Sequence, residues 1–154
     1  MKTSALPEKL IYEIWKNQEF KSEIETCDGE KVVVLDRGIE STELGGPDFR
    51  NARIQIGNLT FVGDIEIDNF HNDWKNHGHI KNPKFNKVVL HVILDDSDKR
   101  NFVTTKDGRK IHSISVINFI DDTLSAALRK QIANHRLDSI NKISCKQLTK
   151  LVTE

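Results

Sequence analysis

Apolar residues recur near the start of the chain at Leu10, Ile11, Ile14 and Trp15, the spacing of one helix face, and predict a helix from Leu6 to Phe20. Pro7 suits its first turn after Ser4. Glu8 and Glu13 read as solvated charges on that helix, and Glu8 also complements the amino-terminal dipole. Thr26-Cys27-Asp28-Gly29 is a turn signal, Lys31 to Leu35 is β-branched and apolar enough for a strand, and Asp36-Arg37-Gly38 ends it. A loop is expected from Ile39 to Phe49, where Gly45, Gly46 and Pro47 cluster.

Beyond that loop the period changes to two. Ala52, Ile54 and Ile56 alternate with Arg53 and Gln55, Gly57-Asn58 is a turn, and the alternation resumes from Leu59 to Asp68, which together predict a β-hairpin. Two-residue periodicity places Asp64, Glu66 and Asp68 on one face, with Val62, Ile65 and Ile67 mostly serving the other. Phe70 to His79 predicts a short helix or turn around Trp74, followed by a loop through Pro83. Val88 to Leu94 reads as a buried strand with His91 in its middle, and Asp95 to Arg100 as a polar turn. A second hairpin is expected around Asp107-Gly108, from Phe102 to Phe119. Asp121-Asp122-Thr123 then caps a helix to about His135 with Leu124, Ala127, Leu128 and Ile132 on its apolar side. Residues 138–154 form a loosely attached, helical or frayed tail.

The 154 residues fit one domain, 1–154. Hydrophobic content of 37% and charged content of 30% describe a soluble globular chain, and no apolar run could span a bilayer. No secretory signal is visible, which makes a cytoplasmic location the expectation. Cys27 and Cys145 form no CxxC pair, so neither a zinc knuckle nor a disulfide framework is indicated. Lys plus Arg and Asp plus Glu both number 23, so nucleic-acid binding would have to use a local patch. Arg129, Lys130, Arg136, Lys142, Lys146 and Lys150 offer one; a solvated helix face is the plainer reading of the same residues.

Two constellations carry candidate chemistry. Asp48 opens one hairpin strand and Glu66 and Asp68 close the other, a set of hard oxygen donors suited to Mg²⁺ or Mn²⁺ and hence to phosphate chemistry. The second is His71, Asp73, His77, His79 and His91, which could hold a transition metal if three converge. His71 and His91 read individually as core residues and Asp73 as a cap. His77 and His79 flank a glycine and are the candidates for ligands or for general acid and base.

The blocks Gly46-Pro47-Asp48-Phe49, Asn51-Ala52, Gly63-Asp64-Ile65-Glu66-Ile67, Asp73-Trp74, His77-Gly78-His79 and Leu90-His91-Val92 resemble a bacterial family catalogued as a domain of unknown function, over roughly residues 8 to 118. Its members are longer, which implies a short form containing the amino-terminal domain; where they usually carry a histidine after Glu66-Ile67, this chain has Asp68. A second resemblance, of a helix, a Pro-Asp strand, a Glu-x-Asp strand, a helix and a further strand, is to the PD-(D/E)XK nuclease-like superfamily. It implies that Asp48 and Glu66 hold Mg²⁺, and its lysine position falls on Asp68, so that Lys75 or His77 would have to supply the missing cation or base.

The expectation is an α+β or α/β domain, a central mixed sheet of about five strands flanked by helices. Its expected function is a metal-dependent phosphodiesterase or nuclease-like activity on nucleic acid, with Asp48, Glu66 and Asp68 on Mg²⁺ or Mn²⁺ and Lys75, His77 and His79 meeting substrate phosphates. The alternatives are a non-catalytic binding or assembly module and a structural metal held by Asp73, His77 and His79.

Overall fold

A computed structural model describes residues 8–95 and 102–152 of the chain, with side chains described as far as residue 138. Two compact units result, one ending at Asp121 and the other containing the helix that follows. The first unit opens with helix α1 (Glu8–Asn17), whose Ile11, Ile14 and Trp15 are buried as their spacing requires. Its Trp15 indole donates to Arg37 O at 3.1 Å, which ties α1 to the end of the strand Lys31–Asp36.

The sheet is larger than expected. Strands β1 (Ile24–Glu25), β2 (Lys31–Asp36), β3 (Ile39–Glu40), β4 (Phe49–Ile56), β5 (Leu59–Phe70), β6 (Val88–Asp95), β7 (Phe102–Thr104) and β8 (Lys110–Ser115) make an eight-stranded mixed sheet. Its order is β1-β2-β4-β5-β6-β8-β7, with β3 pairing the start of β4. The expected α+β class holds, and the count of about five is corrected to eight; the strands without a sequence signal are the two-residue β1 and β3. A two-residue strand is too short to leave a period in the sequence.

Both expected hairpins are present. β4 and β5 pair antiparallel through Gly57-Asn58, and β7 and β8 pair antiparallel across Asp107-Gly108. β6 is parallel to both β5 and β8, which puts it in the interior of the sheet and explains its almost continuous burial. Gly63 to Asp68 are likewise buried without alternation, since β5 lies between β4 and β6, while Val62 is 66% exposed. Glu66 and Asp68 share one side of β5 and Ile65 and Ile67 the other, as expected, but the alternation does not mark exposure: over this stretch both faces are covered.

Gly63 is required where β5 first meets β6. A Cβ there would overlap Lys87 O and lie 2.6 Å from Val89 Cγ1. Between β5 and β6 the chain forms helix α2 (Asp73–Asn76) and two 3-10 turns, His79–Lys81 and Pro83–Phe85. Trp74, Phe85, Val88, Val103 and Ile111 pack as a cluster beneath this crossover. Most of the expected polar turn Asp95 to Arg100 lies outside the described residues. In the second unit the expected helix and tail are one helix, α3 (Asp122–Val152). Leu128 and Ile132 are buried on it and Ala127 is exposed. No described helix is long and apolar enough to cross a membrane.

Candidate metal centre

Residues from four elements line one cavity of about 280 Å³: Glu8 from α1, Gly45, Gly46 and Asp48 from the loop before β4, Glu66 and Asp68 from β5, and His77, His79, Asn82 and Phe85 from the crossover. The hairpin brings the first acids together. Phe49 lies opposite Ile65, so Asp48 arrives beside the far end of β5, where its Oδ2 accepts the Ile67 N–H at 2.8 Å. Glu66 and Asp68, two apart on β5, follow on one side of the strand.

Asp64 belongs to the same run but not to the site. A bulge in β4 between Phe49 and Ala52 puts Asn51 at φ +56°, and Asp64 Oδ1 accepts the Asn51 N–H at 3.2 Å. Its carboxylate serves the bulge.

The histidines converge because of Gly78. Its φ of +77° reverses the chain at the end of α2, so that His77 and His79 on either side both reach the cavity. His77 Nδ1 lies 3.0 Å from Asp68 Oδ1, and the His79 ring stacks on Phe85 with centroids 3.9 Å apart. Trp74 stands edge-on to His79 and to His91, each at 5.2 Å, and its indole is anchored by donating to Thr104 O at 2.9 Å. One donor atom each from Asp68, His77 and His79 fall within 4.8 Å of one another.

The most informative contact is between His79 Nε2 and Glu66 Oε2, which are 2.6 Å apart. At that distance a hydrogen bond would be expected, yet the angles do not make one, and among the described residues neither nitrogen of this 92%-buried ring has a hydrogen-bond partner. An unpartnered imidazole nitrogen this close to a carboxyl oxygen, beside Asp68 and His77, brings together donor types that suit a cation.

Electrostatics lead to the same place. Burial first, and then the neighbouring Asp48, with which Glu66 shares a hydrogen bond, push the Glu66 carboxyl up to about 11. Burial raises Asp68 to about 7 against the opposing pull of His79 and His77. Desolvation lowers His79 to about 4 and the wholly buried His91 to about 3, leaving both imidazoles neutral at ordinary pH. His91 Nε2 is 2.7 Å from Asp68 Oδ2, so beside an ionised Asp68 its proton sits on that nitrogen and the ring fixes the carboxylate's orientation.

Of the residues singled out in the sequence, Asp48, Glu66, Asp68, His77 and His79 thus share one cavity. Lys75 does not line it and is exposed on α2. Asp73 accepts the Phe70 N–H at 3.0 Å, so the grouping of Asp73 with His77 and His79 is replaced by one with Asp68. Glu8, expected to be a solvated helix charge, lines the same cavity, where partial burial and then Asp68 and Asp48 raise its carboxyl. No periodicity signals that role; only its place in the first turn of α1 sets it facing the hairpin.

The family described as "Protein of unknown function (DUF2851)" matches residues 8–154. This chain belongs to the DUF2851 family. The match includes α3, beyond the stretch to residue 118 over which the sequence blocks resemble that family. No curated protein and no solved structure matches the chain.

Proposed function

We propose that this DUF2851 chain is a divalent-metal-dependent phosphodiesterase acting on nucleic acid, its centre the cavity between Asp48, Glu66, Asp68, His77 and His79. The observation that carries the reading is the near approach of His79 Nε2 and Glu66 Oε2 without a hydrogen bond, inside a cluster of buried carboxylates that burial alone would keep protonated. A cation would make ionisation of these groups favourable. Asp48, Glu66 and Asp68 fit Mg²⁺ or Mn²⁺, and an imidazole donor from His79 favours Mn²⁺ of the two.

When bound, such an ion neutralises charge on a phosphodiester and makes a water more acidic. The chain's own groups do the rest. Asp48 is held by the Ile67 N–H and Asp68 by His91, so two carboxylates are oriented before any ligand arrives. His77, 46% exposed at the rim and hydrogen-bonded to Asp68, can pass a proton between the cavity and solvent, either from the attacking water or to the departing alkoxide. Phe85 lines the cavity and stacks on His79, with Trp74 packed edge-on against the same ring, and these apolar groups limit competing water.

The element order supports the nuclease-like reading: α1, the antiparallel strands β2, β4 and β5, a helical crossover, then β6 parallel to β5. Two features depart from it, since α2 is only four residues long and Asp68 stands at the lysine position.

The test is hydrolysis of bis(p-nitrophenyl) phosphate and of an oligonucleotide with Mn²⁺ or Mg²⁺, alongside calorimetric ion binding, for the intact protein and for folded Asp48→Ala and Glu66→Ala variants. Ion binding and turnover lost together in both variants are expected. Ion binding without turnover of any diester would refute catalysis and leave a metal-dependent binding module.

A further inference from the structure

The acid-rich cavity poses a problem for the phosphodiester ligand proposed above, because Glu8, Asp48, Glu66 and Asp68 line it with no lysine or arginine among them. The nearest answer lies at its mouth. Arg50 follows Asp48 by two residues, and its Nη2 lies 3.2 Å from where a Cβ on the cavity-lining Gly46 would sit. Lys84 stands on the opposite wall between Asn82 and Phe85, both cavity residues, and its backbone N–H is fixed to Asn82 Oδ1 at 3.0 Å.

One anion joins the two cations. Glu43 Oε2 accepts from Arg50 Nη2, and Glu43 Oε1 lies 3.2 Å from Lys84 Nζ. Arg50 Nε also donates to Ser41 Oγ at 3.3 Å. A planar oxyanion shared between a guanidinium and an ammonium is the arrangement in which the same two groups would hold two oxygens of a phosphate. All three side chains are between 41% and 49% exposed, so the pairing is solvent-screened and readily exchanged.

We propose that Arg50 and Lys84 form the anion-binding subsite for a phosphodiester group of the substrate, and that Glu43 occupies it in the absence of ligand as a built-in competitor. The inference rests on the phosphodiesterase reading for its ligand but places recognition on residues outside the metal-ligand set. A backbone phosphate seated there lies at the mouth of the cavity, next to the wall carrying Asp48. Occupation by Glu43 keeps the loop from Ser41 to Asp48 tied to the Lys84 wall, and a bound phosphate would take over the same tie.

The experiment measures anisotropy of a short fluorescein-labelled single-stranded oligonucleotide, with Mn²⁺ present, over a series of salt concentrations, for the intact chain and the Arg50→Ala, Lys84→Ala, Glu43→Gln and Glu43→Gln/Arg50→Ala variants. Each cation-removing variant is expected to weaken binding about tenfold and to lower the salt slope by about one. Glu43→Gln is expected to tighten binding, and Arg50→Ala to cancel that gain. Inorganic phosphate as competitor separates the two sources of the same chemistry. Sensitivity of phosphate binding to Arg50→Ala without any effect on the oligonucleotide overturns the assignment to substrate.

The inference also fails if both cation variants bind as the intact chain does, if Glu43→Gln weakens binding as they do, or if no oligonucleotide binds. Hydrolysis of bis(p-nitrophenyl) phosphate is read in parallel, because this small diester depends on the metal centre. The expected binding pattern without hydrolysis would refute catalysis and keep the subsite; hydrolysis with unaltered oligonucleotide binding in the variants would do the reverse.

Discussion

If the proposed ion binds at this centre it should expel protons, because burial pushes the Glu66 and Asp68 carboxyls up. Before an ion binds, Asp68 sits at about 7 and Glu66 at about 11. At pH 7 Asp68 is therefore about half protonated and Glu66 almost wholly so, whereas His79, lowered to about 4, is already neutral and gives up nothing. Ligands bind in their deprotonated forms, so Mn²⁺ should release protons at that pH, chiefly from Glu66 and in part from Asp68, and more as pH falls and Asp68 fills. Apparent affinity should rise with pH at a slope equal to that release. Calorimetry at one pH in two buffers of different ionisation heat measures it directly. The sign for stability is opposite in the two states. A raised carboxyl favours the fold at low pH; the Asp68 contribution is complete below its ordinary 3.8 and is lost as pH rises through about 7. The ion-free domain thus weakens across that window, and the gain in Tm on adding Mn²⁺ should widen across it. Proton release near zero at pH 7, or a Tm gain that is flat with pH, would refute the assignment of Glu66 and Asp68 as ligands.

Further outcomes follow from the same geometry. His91→Ala should cost about 10–100-fold in ion affinity, since it removes the partner that orients Asp68 without touching a donor atom, and calorimetry of the folded variant checks this. Gly63→Ala should destabilise the domain by about 3 kcal/mol or more in chemical denaturation, because its Cβ meets backbone and the β5–β6 junction must shift; a near-neutral result would contradict the close approach. Trp74→Ala should lose about 3–5 kcal/mol of stability and also loosen His79 and His91, so its ion affinity should fall along with its denaturation midpoint. Lys75→Ala should leave ion binding unchanged, as that side chain is exposed outside the cavity.

Periodicity made the larger elements legible. Ile11, Ile14 and Trp15 announce α1, the Ala52-Ile54-Ile56 alternation announces β4, and the apolar run through His91 announces an interior strand. Elements of two residues were not legible, because β1 and β3 exist through pairing with β2 and β4 and carry no pattern of their own. The site divided along similar lines. A hairpin prediction suffices to bring Asp48 toward Glu66, and a glycine between two histidines suffices to suggest a shared role. Which carboxylate joins them depends on long-range register: the parallel pairing of β5 with β6 sets Glu66 beside His91 and Asp68 within reach of its Nε2, something no local spacing encodes. The role of Glu8 is hidden for the same reason, since it arises from α1 lying against a strand more than fifty positions away in the chain.

Asp68 is where sequence and geometry bear on each other most. In the nuclease-like pattern a lysine at this position would bring a positive charge to an acidic centre, and an aspartate there adds a further negative one. Three imidazoles surround this carboxylate: His91 Nε2 at 2.7 Å, His77 Nδ1 at 3.0 Å and His79 Nε2 at 3.9 Å. Neutral rings cannot replace a lysine's charge, and two of them are held neutral by burial. They can replace its place in a donor set, because an imidazole offers a lone pair to a cation and a proton to a carboxylate at the same time. The cavity lining has no lysine or arginine, so under the proposed reading a bound cation would supply the positive charge, with Arg50 and Lys84 at the mouth and not beside the carboxylates. A lysine restored by Asp68→Lys should consequently abolish ion binding instead of improving it: the ammonium would enter a space already bounded by His77, His79 and His91, and the ligand that His91 orients would be gone. Retained Mn²⁺ affinity in that folded variant would show that the ion sits with Asp48 and Glu66 alone.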